Sequence, residues 1–154
     1  DPNLMDSIDS VLQVVELRLS LEGEIAALAA RRRSETQMAA IQNALRQIEL
    51  EEREGKDGVE ADIEFHRSIA EATNNPHFMA LVKFLFSFLI KATKITRSYE
   101  ATKATLSQQV KEEHQCIVDA ILRQDIEAAR LAARRHMEGA SRRLGSADIK
   151  NFLE

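Results

Sequence analysis

Apolar residues recur along most of the chain at spacings of three and four, which is the pattern of helices with one buried face. Turn-forming residues interrupt the pattern at residues 55–58 and 74–76, and a softer break lies at residues 101–105. The pattern predicts helices at about residues 7–33, 34–54, 59–73, 77–99, 105–123 and 125–143.

Polar residues stand where several of these helices should begin. Ser34 and Asp125 each precede a helical run and are predicted N-caps, and Thr105 is a further candidate. The sixth helix should end near Gly145, and the tail up to Glu154 should add a short seventh helix. No run alternates apolar and polar residues as a strand would, so we predict an all-α, antiparallel bundle of six or seven helices in one domain covering residues 1–154.

Composition agrees with this fold and narrows the classes of function. The net charge of −4 gives the chain no electrostatic reason to hold DNA or an anionic membrane. The single cysteine, Cys116, excludes an internal disulfide, and no signal peptide or apolar run of transmembrane length is present, so we expect a cytoplasmic protein. The opening Asp1 in place of an initiator Met indicates a processed chain or a fragment of a longer one.

Four metal-capable side chains are predicted to point inward. Turning successive residues by about 100° around a helix axis places Asp62 and His66 on the buried face of the third helix, one turn apart. His114 falls among the apolar residues of the fifth helix, and His136 among the alanines 129, 132, 133 and 140 of the sixth. A buried carboxylate is costly, and a divalent cation held with three neutral imidazoles would offset that cost. The pattern favours a metal site, but it does not choose among Zn, Ni, Mn, Co and Fe.

The histidines and the cysteine also have simpler, purely structural interpretations. A single inward histidine is more often a hydrogen-bonded core residue than a metal ligand. His77, next to Pro76 at a helix start, is expected to be a surface or capping residue. Cys116 points away from the inward histidines and is interpreted as a small packed hydrophobe.

Charged residues also fall on apolar faces. Arg18 and Glu22 lie within the buried arc of the first helix, where they could form a structural ion pair. Alternatively, Arg18 could reach into a cavity and hold an anionic ligand, because a guanidinium recognises a carboxylate through two parallel hydrogen bonds. Arg97, near the end of the fourth helix, has the same two options or could extend to water.

The fourth helix is apolar on two sides. One side carries Met79, Phe86, Ile90 and Thr93 in line with Arg97, and the other carries Leu81, Phe84, Phe88 and Ile95. Such a helix is either central in the bundle or covered by a second chain. We therefore expect a homodimer formed through helical surfaces outside the metal site.

The sequence resembles the C-terminal effector-binding domain of GntR-family transcription regulators of the FadR type. The resemblance covers nearly the whole chain and rests on residues 18–22 (RLSLE), 26–30 (AALAA) and 62–66 (DIEFH), on Ala72 with Asn74 and Asn75, on Glu113-His114 with Ala120-Ile121, and on His136. It implies an antiparallel helical bundle in which Asp62, His66, His114 and His136 hold a divalent metal. It also implies a homodimer and a small carboxylate effector bound at the metal with help from nearby basic and polar groups. Arg18, Glu22 and Arg97, which the helix faces single out, are the effector-binding candidates.

The family's N-terminal winged helix-turn-helix domain is absent from the sequence, so the resemblance implies the sensor part of a regulator and assigns DNA binding to the missing part. The competing hypothesis is a metal enzyme, either a hydrolase or a non-haem iron oxygenase. A hydrolase would need a carboxylate base near the metal, and Glu22, the only buried candidate, is expected to be neutralised by Arg18. In a third hypothesis the metal only links helices, which would leave no cavity beside it. We expect a ligand-responsive domain, no enzyme activity, and a small hydroxy or keto acid as effector.

Overall fold

A computed structural model describes residues 2–146, apart from the side chains of residues 2–8, 88, 89, 91 and 92. These residues form six α-helices: α1 (Pro2–Arg32), α2 (Glu35–Arg53), α3 (Val59–Glu71), α4 (Pro76–Glu100), α5 (Ala104–Leu122) and α6 (Ile126–Leu144). The predicted all-α bundle is confirmed. The seventh helix predicted for the tail lies outside the described residues.

The starts of the helices follow from local chemistry. The Ser34 side chain accepts a hydrogen bond from the backbone N–H of Gln37, and the Gln37 side chain accepts one from the backbone N–H of Ser34, so α2 has a complete capping box. Asp125 caps α6 by accepting from the N–H of Ala128, as predicted. The prediction for Thr105 is wrong: hydrogen bonding in α5 starts from the carbonyl of Lys103, so Thr105 already lies inside the first turn.

Pairing of the helices buries one continuous core. α1 packs most extensively on α6, α6 also packs on α5, and α3 lies between α2 and α4. Phe65, Ile25, Ile41, Ile117 and Met137 are among the largest fully buried side chains. Because α1, α3, α5 and α6 all meet at this core, polar residues on their inner faces come together at its centre.

The surface of α4 differs in part from the predicted pattern. Leu81 and Phe84 are exposed, Phe84 to 63%, which agrees with a side of α4 that the bundle does not cover. Ile90, predicted on the same side as Arg97, is 53% exposed, whereas Ile95, predicted on the side of Leu81 and Phe84, is partly buried against the core. α4 packs mainly on α3, so it buries only a narrow stripe through Phe86, and Ile90 lies beside that stripe. Phe88 is outside the described side chains.

Two other surface predictions have opposite outcomes. His77 is exposed, as expected for a residue in the first turn of a helix capped by Asn75. Cys116 is also exposed, so its interpretation as a packed hydrophobe is wrong. The Cys116 side chain faces the outer groove between α5 and α6 instead of the core. None of the described helices is both long and apolar enough to cross a membrane.

Candidate metal and effector site

Three helices bring the predicted metal-capable residues together at the centre of the bundle. α3 supplies Asp62 and His66 from successive turns, α5 supplies His114, and α6 supplies His136. All four are buried, with His114 only 1% exposed. The ring nitrogens of the three histidines that face one another lie within 4.8 Å.

Two of the distances between these atoms fit a shared metal ion. Nε2 of His114 lies 3.3 Å from Nε2 of His136 and 3.4 Å from Oδ1 of Asp62, and Nε2 of His66 lies 3.9 Å from the same Asp62 oxygen. Two ligands about 2.1 Å from one metal are about 3.0–3.4 Å apart at common coordination angles. His66 would have to move inward to share the same ion.

His66 also carries the clearest sign of a missing partner. Its Nε2 atom is fully buried and has no hydrogen-bond partner among the described residues. A buried polar atom without a partner costs free energy, so such atoms are rare in native proteins. A metal ion at the centre of the four side chains would satisfy this nitrogen, and the donor set of one carboxylate and three imidazoles suits a divalent transition metal.

One carboxylate outside this set hydrogen-bonds the ring of His136, and a second carboxylate lies near the ring of His66. Nδ1 of His136 lies 2.7 Å from Oε2 of Glu113, and Nδ1 of His66 lies 3.7 Å from Oε2 of Glu22. A carboxylate only accepts hydrogen bonds, so the proton of His136 is placed on Nδ1 and its Nε2 keeps a free lone pair. This arrangement of an outer carboxylate, a histidine and an inward nitrogen is the one that metal-ligating histidines use.

Burial keeps His114 and His136 in the form that binds metal. Desolvation, and then the neighbouring His136 and His66, lower the pKa of His114 well below its usual value of 6.5. Desolvation also lowers the pKa of His136, although the hydrogen bond to Glu113 opposes the shift. The neutral imidazole is therefore favoured, and only a neutral imidazole can coordinate a metal.

Arg18 combines the two roles that the sequence left open. Its Nε donates to Oε1 of Glu22 at 3.1 Å, so the predicted ion pair exists. Its Nη2 atom, however, is fully buried and has no partner in the described structure. Burial raises the pKa of Glu22, but Arg18 and His66 outweigh it and hold that pKa at about 2, so Glu22 is a carboxylate and not a free base.

A small cavity lies against the metal-capable cluster. Its volume is about 30 Å³, room for about two water molecules, and Asp62, His136, Arg18 and Arg97 line it. Of the alanines predicted to surround His136, only Ala140 lines this cavity. Ala129 and Ala133 belong to the core, where small side chains let α6 pack closely on other helices, and Ala132 faces an outer groove between α5 and α6.

Arg97 is buried and does not extend to water, so that alternative is wrong. Its Nη2 donates to Oε1 of Glu52 at 2.7 Å and its Nε to the carbonyl of Asp57 at 3.3 Å. These bonds tie the end of α4 to the connection between α2 and α3. Desolvation lowers the pKa of Arg97, but nearby Asp62 and the bond to Glu52 raise it above its usual value, so the guanidinium stays charged beside the cavity.

Sequence reasoning missed a set of three ionisable residues behind His136. Arg143 donates through Nη1 and Nη2 to the two oxygens of Glu113 at 2.9 and 3.0 Å, and through Nε to Oε1 of Glu100 at 2.9 Å. Burial opposes ionisation of Glu113, but bonds from His136 and Arg143 keep its pKa below the usual value. The signal was present, since Arg143 lies seven residues after His136 and so on the same face of α6.

Comparison with known proteins gives the family. Residues 13–139 match the model of the FCD domain, the C-terminal domain of GntR-family regulators. The chain belongs to this family, and the resemblance found in the sequence is confirmed. Similar curated proteins are transcription regulators and not enzymes.

Three findings illustrate the similarity. The chain is 34% identical over 114 residues to the HTH-type transcriptional regulator LutR of Bacillus subtilis, covering 73% of this chain and 52% of LutR. It is 30% identical over 144 residues to the galactonate operon transcriptional repressor of Escherichia coli, covering 94% of this chain and 59% of that protein. A solved structure of Streptococcus agalactiae GntR shares the fold, with a TM-score of 0.71, 24% identity, and coverage of 90% of this chain and 60% of that one. The chain thus spans a little over half the length of these relatives.

Proposed function

We propose that this domain senses a small carboxylate for a transcription regulator, and that a divalent metal held by Asp62, His66, His114 and His136 is the centre of its binding site. The observation that carries this proposal is the buried Nε2 of His66, which has no hydrogen-bond partner among the described residues and lies within 4.8 Å of ring nitrogens of His114 and His136. Zn, Ni, Mn, Co and Fe all accept this donor set, so the proposal is a divalent transition metal without a named element.

Arg18 supports the carboxylate as effector. Its Nη2 is buried and has no hydrogen-bond partner among the residues that the structure describes, and Arg18 borders the cavity next to Asp62 and His136. Four protein ligands leave about one or two positions open on a metal that prefers five or six, so a chelating acid can bind the metal while its negative charge meets Arg18. Arg97 adds a positive charge on the same cavity, and Glu22 holds Arg18 in place.

The size of the cavity favours a compact ligand. At about 30 Å³ it must widen even for a short acid, and a long acyl chain would need a much larger rearrangement. Two relatives carry names that refer to hydroxy acids, the galactonate operon repressor and a putative L-lactate dehydrogenase operon regulatory protein. We therefore propose a small hydroxy acid or keto acid as the effector class.

Metal analysis and calorimetry test this proposal. The untreated protein should contain close to one equivalent of a transition metal, and a panel of lactate, pyruvate, glycolate and galactonate should include at least one acid that binds the metal-loaded protein. The same acid should not bind after chelator treatment. Equal binding to metal-free protein would place the effector site elsewhere, and an untreated protein without metal that also takes up none would refute the metal centre.

We further propose that the domain acts as a homodimer in the cytoplasm, with the exposed side of α4 around Leu81 and Phe84 in the interface. An exposed apolar side of this kind is typical of a surface that a partner covers. DNA binding is assigned to a winged helix-turn-helix domain of the whole regulator, outside residues 1–154. An effector that changes the packing of α1, α3, α5 and α6 around the metal would pass its signal to that domain through the bundle.

A further inference from the structure

We propose that Glu113 is a positioning residue for the metal centre: it fixes the ring and the proton of His136, and Arg143 and Glu100 hold Glu113 in place. The inference rests on the metal site of the proposed function. It adds three residues to that site, none of which faces the metal directly.

Glu113 contacts the ring of His136 directly. Oε2 of Glu113 lies 2.7 Å from Nδ1 of His136, the distance of a strong hydrogen bond. Since a carboxylate can only accept, this bond selects the tautomer with its proton on Nδ1. The opposite nitrogen, Nε2, then carries the free lone pair and lies 3.3 Å from Nε2 of His114, inside the cluster. The reverse tautomer would point a proton at the metal position.

Arg143 and Glu100 in turn hold Glu113 in place. Arg143 binds both of its oxygens, at 2.9 and 3.0 Å, which sets the plane of the carboxylate as well as its position. Oε1 of Glu100 accepts the remaining Nε–H of Arg143 at 2.9 Å. Arg143 and Glu100 are 7% and 4% exposed, so little water competes for these bonds. These contacts join α4, α5 and α6 behind His136.

Gly139 provides independent support, because it leaves space for the Glu113–Arg143 pair. A Cβ at this position would lie 2.5 Å from Oε1 of Glu113 and 2.9 Å from Nη1 of Arg143, closer than real Cβ atoms approach. Glycine within a helix is unfavourable relative to alanine, so α6 needs a reason to carry it there. The reason is space: the Glu113–Arg143 pair crosses α6 at the turn between His136 and Arg143, and any side chain at residue 139 would displace it.

The test uses two readouts on the same variants. Imidazole nitrogen NMR on metal-free protein reports the tautomer of His136, and competition against a chromophoric chelator reports the affinity for Zn²⁺ and Ni²⁺. In the wild type, His136 should carry its proton on Nδ1. Glu113→Ala should abolish that preference and weaken metal binding about 10- to 100-fold, the usual effect of removing an outer partner of a metal ligand. Glu112→Ala removes the neighbouring exposed carboxylate and should change neither readout.

Gly139→Ala is the second variant, because it displaces Glu113 without changing any charge. Gly139→Ala should change the tautomer of His136 and the metal affinity in the same direction as Glu113→Ala. If Glu113→Ala fails to fold, Gly139→Ala alone tests the role of Glu113. Wild-type tautomer and affinity in Gly139→Ala, or in a folded Glu113→Ala, would overturn the inference. If the wild type binds no metal while the variants still change the tautomer, the proposed function fails and the role of Glu113 in orienting His136 stands.

Discussion

The Nε2 atoms of His114 and His136 lie 3.3 Å apart at the buried centre of the bundle. Because Glu113 holds the proton of His136 on Nδ1, the lone pair of its Nε2 faces the ring of His114. Asp62 adds an oxygen 3.4 Å from the same His114 nitrogen. Electron-rich atoms this close need a proton or a cation between them, and this requirement links the packing of the bundle to its proposed metal.

Metal should stabilise the fold. The ligands come from α3, α5 and α6, so binding joins three helices, and metal at about 100 times its dissociation constant should raise the free energy of unfolding by about 2.7 kcal/mol. Thermal unfolding with chelator, and then with metal restored, measures this gain. Asp62→Ala and His114→Ala should abolish it, whereas His77→Ala, which removes an exposed histidine, should keep it. Identical wild-type curves with and without metal would contradict the prediction.

Arg18→Ala should weaken effector binding without loss of metal. Arg18 lines the cavity and its buried Nη2 has no hydrogen-bond partner among the described residues, and a hydrogen bond to a charged group contributes about 1.5–3 kcal/mol, or about 10- to 100-fold in affinity. Calorimetry with the best acid of the panel measures the change, and elemental analysis checks the metal. Arg67→Ala removes an exposed arginine and is the matched control. Unchanged affinity in Arg18→Ala would remove Arg18 from the effector site.

The metal-free domain should lose stability in acid through His114. The pKa of His114 in the folded state lies well below 6.5, so below pH 6.5 the unfolded chain binds a proton that the folded chain rejects. The contribution of neutral His114 to the free energy of unfolding is therefore complete above pH 6.5. It declines as the pH falls toward the pKa of His114 in the folded state, by up to about 1.4 kcal/mol per pH unit. Urea unfolding with chelator from pH 8 to pH 5 tests it, since the difference in stability between wild type and His114→Gln should decrease toward acid. A constant difference would show that His114 does not titrate as its burial predicts.

Replacing Gly58 should disturb the contact that Arg97 makes with the connection before α3. Gly58 has a φ of +68°, and an added Cβ would lie 2.8 Å from Nη2 of Arg97. Gly55 has a similar φ of +75° but open space around it. Each alanine variant should lose about 1 kcal/mol to backbone strain, and Gly58→Ala should lose more because Arg97 must move. Urea unfolding of both variants measures the difference; equal losses would mean that Arg97 adapts without cost.

A charge on the exposed side of α4 should separate the proposed dimer. Phe84 is 63% exposed, and Phe84→Glu would place a carboxylate in an apolar interface. Light scattering should find a dimer for the wild type and a monomer for Phe84→Glu. Leu50→Glu changes an exposed leucine on α2 and should remain dimeric. A monomeric wild type at high micromolar concentration would argue against this interface.

The sequence alone was sufficient for features that depend on one helix at a time. The period of apolar residues predicted the six described helices, and the polar residues before them predicted the caps Ser34 and Asp125. The same period placed Asp62, His66, His114 and His136 on buried faces. A helix repeats every 3.6 residues, so the side that a residue faces follows from its position in the chain.

Tertiary structure decided what those faces meet. The contacts of Glu113 with Arg143, and of Arg143 with Glu100, join residues 30 and 43 positions apart. The exposure of Ile90 and the packing role of Ala129 depend equally on which helix lies opposite. Periodicity assigns a side chain to a face but not to a partner, because the partner depends on how long helices cross and on which side chains fill the space between them. The buried side chains were therefore predictable, whereas the bonds that orient them follow only from the packing of the bundle.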